Sequence, residues 1–186
     1  RDRQSVYNQS LVADQMIQRG DAAAAAWVKK MTANVTKPYF TSDTPLIRAI
    51  GNGQCGVGLV NTYYLARMVS GESGAADKAL ASKLKVVFTN PAHVNISGAG
   101  VTHHAKNPAA ALKLIEFLAS PAGGKGYAEA NHEYPLKGYG SNATLKAFGT
   151  FKASGDIQID AARLYPSTLS DYTLTSSGAN ATVSLR

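Results

Sequence analysis

Apolar residues recur at helical spacing over several stretches of the chain and form short unbroken runs over others. Residues 10–19 and 21–33 read as two adjacent helices, with Gly20 closing the first, Asp21 as N-cap of the Ala-rich second, and Trp27 as its anchor. Ser42-Asp43-Thr44-Pro45 supplies a cap and an early proline for a third helix that carries Leu46, Ile47 and Ile50 and ends at Gly51. Residues 55–60 are short, apolar and partly β-branched after a Gly-rich approach, which predicts a buried strand covered on both faces. Asn61-Thr62 then caps a helix running from 63 to about 69.

A loop at 71–74 leads into a short helix, and 85–88 reads as a further strand, stopped by Asn90-Pro91. Residues 94–97 form another extended run before Gly98-Ala99-Gly100. Asn107-Pro108 opens the clearest helix, 109–119. A weaker helix follows over 121–131, where Gly123, Gly124 and Gly126 each cost up to ~1 kcal/mol relative to alanine and fray the first turn. Helices alternating with short apolar strands predict an α/β architecture with a mainly parallel sheet. From 167 to 186 the chain becomes rich in Ser, Thr, Gly and Asn, compatible with an edge strand, a hairpin or a mobile tail.

Composition narrows the function classes. The 186 residues are 45% apolar and 17% charged, enough for one large domain or two small lobes, which excludes a disordered or collagen-like chain. No apolar run reaches the ~18 residues of a membrane-spanning helix, and Arg1-Asp2-Arg3-Gln4 carries no apolar signal region, so a soluble chain without a targeting segment is expected. The +7 net charge would suit nucleic acid or an acidic surface, but the basic residues are dispersed and no nucleic-acid motif is present. That pattern argues against nucleic-acid binding. The single cysteine, Cys55, precludes an internal disulfide and multi-cysteine metal sites, and its apolar setting predicts a buried, inert thiol.

The densest chemistry is Asn61-Thr62-Tyr63-Tyr64-Leu65-Ala66-Arg67, at a junction from strand to helix. In open α/β sheets ligands bind at the carboxyl ends of strands. Two consecutive phenols in a first helical turn sit where the macrodipole favours negative charge, and Arg67, three and four residues on, reaches back along the same face. A free phenol ionises only near pH ~10, so such help matters when a strongly cationic species displaces the proton, and a hard trivalent metal ion is the natural candidate. The alternative is a tyrosine pair packed with its hydroxyls at the surface. Tyr7-Asn8-Gln9-Ser10, just before a helix, offers a phenol, two amides and a hydroxyl near free N–H groups, or else an ordinary cap. His93, His103, His104 and His132 lack the spacing of a zinc helix motif, and no nucleophile elbow is present.

Four segments in order then resemble a known signature: Val6-Tyr7-Asn8-Gln9-Ser10-Leu11-Val12, Gly58-Leu59-Val60-Asn61-Thr62-Tyr63-Tyr64-Leu65-Ala66-Arg67, His93-Val94-Asn95-Ile96-Ser97-Gly98-Ala99-Gly100-Val101 and Ala130-Asn131-His132-Glu133-Tyr134-Pro135. Together, from about residue 7 to 151, they resemble the bacterial ferric-iron-binding substrate-binding proteins of ABC transporters, in the FutA-like branch of the ferric-binding-protein family. The resemblance implies a two-lobed periplasmic-binding-protein fold of type II that clamps Fe³⁺ between lobes in the periplasm and delivers it to an inner-membrane ABC permease. It implies Tyr63, Tyr64 and Tyr7 as metal ligands, and Arg67 as the cation that offsets phenolate charge. Asn61 occupies the place where relatives hold a synergistic carbonate or phosphate, with Asn8 and Ser10 as further second-sphere or anion-binding groups. Whether such an anion is used stays open, because three phenolates can neutralise Fe³⁺ unaided.

On that resemblance residues 1–92 correspond to the second lobe, 93–146 to a crossover back to the first, and 147–186 to a return segment with a divergent tail. Most of the first lobe, with further ligands and any membrane attachment near its start, would lie outside the chain. The expected function is non-catalytic. The alternatives are an oxyanion-binding protein of the same fold using Asn61 and Ser10 without metal, a hydrolase built on Ser10 or Cys55 with a histidine, and a purely structural fragment.

Overall fold

The computed structural model describes residues 5–36, 38–135 and 142–153, together with the backbone of three strands between 156 and 185. They divide into two compact units, one gathering Thr36–Val87 and Gly98–Thr150, the other the stretch ending at Val35, Phe88–Ser97 and the chain from Phe151 onward.

In the second of these, α1 (Val6–Arg19) and α2 (Asp21–Ala33) lie against each other. Gly20 makes the reversal at φ +80°, a conformation that side chains resist, and its N–H closes α1 on the Met16 carbonyl at 2.9 Å. Asp21 is the first residue of α2 rather than its cap; its charge still suits the positive end of the helix. α1 opens four residues earlier than the sequence pattern indicates, with Ser5 as N-cap, so Tyr7, Asn8 and Ser10 lie inside the helix and not ahead of it. Ala92 bridges Ala153 in parallel, its N–H donating to the Lys152 carbonyl at 2.8 Å, while the Phe88 and Phe151 rings meet at 4.9 Å. Beyond them β1 (Asp156–Ile159), β2 (Tyr172–Ser177) and β3 (Asn180–Leu185) form a sheet in the order β1-β3-β2, with β1 parallel and β2 antiparallel to β3. Of the three readings for the tail, its described backbone takes the hairpin.

The other unit holds α3 (Asp43–Gly51), α4 (Thr62–Ser70), α5 (Ala75–Ala81), α6 (Pro108–Leu118), α7 (Pro121–Asn131) and α8 (Ala143–Ala147). Ile47, Leu65, Met68 and Ala81 form its core, flanked by Val60 and Phe148. Arg48 grips Asp77 with two guanidinium hydrogen bonds of 2.8 Å, joining α3 to α5. The first turn of α7 is not frayed: Ser120 Oγ accepts from the Gly123 N–H at 3.2 Å, and Gly123 and Gly124 are buried. A Cβ on Gly123 would come within 2.2 Å of the Phe117 carbonyl, so glycine here permits the close approach of α6 and α7. The glycines that weaken the helix in isolation are what lets it pack.

After α7 the chain turns through His132, in the left-handed region at φ +56° and only 4% exposed. Asn142 Oδ1 caps α8 by accepting from the Leu145 N–H at 2.8 Å, which leaves Asn142 Nδ2 to donate to His132 Nδ1, also at 2.8 Å. His132 therefore donates its Nε2–H to Glu72 Oε1 at 2.5 Å, tying the end of α7, the start of α8 and the loop after α4.

The predicted strands at 55–60 and 85–88 and the extended run at 94–97 form no sheet ladder among the described residues, so the mainly parallel sheet is not observed there. Val57 is 86% exposed and Leu59 is exposed with it, against the expectation of a strand covered on both faces at 55–60; Val87, also 86% exposed, and Val94 and Ile96 are exposed as well. β-propensity selects an extended backbone, but a strand exists only where a neighbour supplies the ladder. Gly58 lets 55–60 run tightly over α3, where a Cβ would meet Ile50 Cδ1 at 2.6 Å. Cys55 is only partly covered, which corrects the expectation of a buried thiol.

Two outcomes follow from this packing. Gly123→Ala should lower unfolding stability by about 1–3 kcal/mol through overpacking against backbone, whereas Gly126→Ala, with open space at its Cβ position, should raise it by about 0.5–1 kcal/mol; urea denaturation checks both. Hydrogen bonds from His132 to Glu72 and from Arg48 to Asp77 hold both carboxyls below their ordinary range. A depressed carboxyl stabilises the fold above its unfolded value, about pH 4, and loses that contribution as pH falls through the lower folded value. Glu72→Gln and Asp77→Asn should therefore each lower Tm at pH 6 and flatten its decline towards pH 2.5.

Candidate functional site

The corner where residues 55–60 enter α4 is built on a buried acid. Asp43, at the start of α3 and 1% exposed, accepts the Asn61 N–H and the Asn61 Nδ2–H on one oxygen, each at 3.0 Å. Asn61 is the N-cap residue of α4, yet its side chain makes no cap hydrogen bond because Asp43 engages it. This corrects the simple capping role predicted for Asn61 and reveals Asp43, eighteen residues away, as the group that fixes the corner.

Tyr63 and Tyr64 follow in the first turn of α4, both half-buried, with ring centroids 4.4 Å apart and planes tilted by 35°. Tyr64 also packs against the core. Arg67 reaches back as its spacing predicts, its guanidinium carbon 5.5 Å from the centroid of Tyr63 and 5.8 Å from that of Tyr64. A guanidinium at that range is attracted to both ring faces and places one fixed positive charge beside two phenols. The same charge contributes to holding Glu72 ionised, after the larger effect of the His132 hydrogen bond. Burial pushes the Tyr134 phenol above its ordinary value.

Tyr7, Asn8 and Ser10 come together on the opening turns of α1, in the other unit. Ser10 Oγ lies 2.9 Å from the Tyr7 carbonyl, 2.7 Å from Asn95 Oδ1 and 3.2 Å from His93 Nε2. His93 Nδ1 is 3.6 Å from Asp14 Oδ2. Asn95, Asp14, Glu72 and His132 were not legible as site-supporting residues, because each acts across a long sequence separation; the only local signal was the polar pair His93 and Asn95 inside an otherwise apolar run. His103 and His104 are exposed and face one another at 3.4 Å between their Nδ1 atoms. Among the described residues no group of three or more His, Cys, Asp or Glu side chains could hold a metal ion. No helix of the described residues is long and apolar enough to cross a membrane.

Known proteins place this arrangement in context. The chain is 38% identical over 158 residues to iron uptake protein A1 of Synechocystis, covering 82% of this chain and 44% of that protein. It is 34% identical over 178 residues to iron uptake protein A2 of the same organism, covering 88% of this chain and 51% of the relative. The chain thus spans about half the length of the curated relatives it matches. Among solved structures, it superposes on a Trichodesmium FutA (IdiA) protein in complex with iron and citrate with a TM-score of 0.77 at 39% identity, covering 82% of this chain and 50% of the other. A Bordetella ferric binding protein gives 0.75 at 37% identity over the same shares. These neighbours are ferric-binding proteins, which supports the type II periplasmic-binding-protein fold expected from the motifs. Residues 5–147 match the family of bacterial extracellular solute-binding proteins, and the chain belongs to that family.

Proposed function

We propose that this protein is the ferric-ion receptor of an ABC-type iron uptake system. It holds Fe³⁺ through the phenolates of Tyr63 and Tyr64, with Tyr7 as a further phenolate, and hands the ion to a membrane permease from the periplasm. The observation that carries the reading is the pair of adjacent tyrosines in the first turn of α4 with one guanidinium over both rings. Fe³⁺ is a hard cation that prefers anionic oxygen donors, and ligand softness rather than overall charge sets this preference. Binding releases a proton from each phenol, and the helix N-terminus and Arg67 both favour the anion that remains. The iron uptake proteins and the iron- and citrate-bound FutA among the relatives point to the same cargo. The role is binding and delivery rather than catalysis, in keeping with a family of solute-binding proteins.

The oxyanion alternative is less favoured. Both Asn61 donors that would bind a phosphate or carbonate already face the Asp43 carboxylate, and a second anion beside it would meet like charge. A synergistic anion, if used, is better placed against Arg67. The hydrolase alternative lacks a nucleophile elbow, since Ser10 sits in the body of α1 with its hydroxyl engaged.

Titration with Fe³⁺-citrate should produce a saturable visible band of tyrosinate-to-iron charge transfer. Tyr63→Phe/Tyr64→Phe should abolish it, and Arg67→Met should weaken binding about tenfold. Retention of the band in the double variant, or phosphate binding without metal that survives it, would refute the assignment.

A further inference from the structure

We propose that His93, Asn95 and Asp14 form a polar clasp that acts through Ser10 to hold the opening turns of α1, and so sets where Tyr7 presents its phenol. The inference rests on reading Tyr7 as an iron ligand and names the residues that position it.

Ser10 is the node. Its hydroxyl lies 2.7 Å from Asn95 Oδ1 and 2.9 Å from the carbonyl of Tyr7, three residues back in the same helix. Asn95 Oδ1 can only accept, and His93 Nε2 is also 3.1 Å from it, so the Ser10 O–H and the His93 Nε2–H converge on one oxygen. The other ring nitrogen of His93 faces Asp14, one turn further along α1, at 3.6 Å. The His93 and Asp14 side chains are 17% and 16% exposed, so these contacts are partly shielded from water. Ser10 on α1 is thereby tied to a segment more than eighty residues away in sequence, and His93 of that segment lies beside Asp14 of the next turn. That segment is itself anchored: Ala92, 6% exposed, donates its N–H to the Lys152 carbonyl at 2.8 Å.

The order Ser10, His93, Asp14 matches that of a hydrolase triad, but its details favour positioning. The single hydroxyl proton is shared between two acceptors, Asn95 Oδ1 and the Tyr7 carbonyl, the His93–Asp14 separation exceeds a hydrogen bond, and Ser10 lies within a regular helix instead of a strained turn. A back-bond from Ser to the carbonyl three residues earlier acts directly on the backbone that carries Tyr7. Groups outside the ligand set that orient a metal ligand typically change affinity by 10–100-fold when removed.

A double-mutant cycle in Fe³⁺ binding, read by competition with citrate and by the charge-transfer band, tests the clasp. Ser10→Ala should weaken binding about tenfold, Ser10→Thr should restore it, and Ser10→Ala should cost nothing further in a Tyr7→Phe background. His93→Phe, which keeps the ring's bulk but removes both nitrogens, should give the same Tyr7-dependent loss, with Tm checked for each variant. Equal losses from Ser10→Ala in both backgrounds, or no loss in either, would overturn the clasp while leaving the ligand reading intact. Unchanged binding in Tyr7→Phe alone would overturn the Tyr7 ligand assignment and the clasp with it.

Discussion

A single buried carboxylate governs the geometry of the candidate site. Asp43 lies at the head of α3, and through one of its oxygens it holds both the backbone and the side-chain amide of Asn61, the residue from which α4 departs. Burying an acid is costly unless hydrogen bonds replace the water it loses. The two Asn61 hydrogen bonds on Oδ2 offset part of that cost and join the starts of two helices in one corner. Tyr63 and Tyr64 are the second and third residues of α4, so their direction follows from this corner and from the core contacts of Tyr64, Leu65 and Met68 below them.

Electrostatics then gives the corner its chemistry. The helix N-terminus and Arg67 supply positive potential at two phenols, while the loop after α4 carries Glu72, kept ionised by His132 and by Arg67 itself. Arg67 thus acts on two aromatic rings and, more weakly, on a carboxylate. In the proposed ferric role, protons would compete with the cation for the phenolates, which makes capture reversible.

The sequence pattern located the helices well because their signals are local. The Gly20 break, the Ser42–Pro45 start and Asn107-Pro108 all mark real boundaries, and the spacing from Tyr63 to Arg67 correctly anticipated the contact of Arg67 with both rings. What escaped the pattern depends on partners. Residues 55–60 and 85–88 have strand-like composition, yet Val57 and Val87 stand exposed, and among the described residues no neighbouring strand is paired with them. Gly123 looked like a helix breaker, and only the Phe117 carbonyl beside it explains why a glycine is needed. Ser10 looked like a cap, but the helix had already begun at Val6, and its real partners, His93 and Asn95, lie too far along the chain for any local rule to find.

Resonance Raman spectroscopy of the Fe³⁺-loaded protein, excited within its visible band, tests the central claim most directly. Tyrosinate coordination predicts strong enhancement of phenolate ring and C–O stretching modes that shift when the tyrosines carry ring deuterium. An iron-loaded protein whose spectrum contains only citrate or hydroxide modes, unchanged by that labelling, would contradict the account.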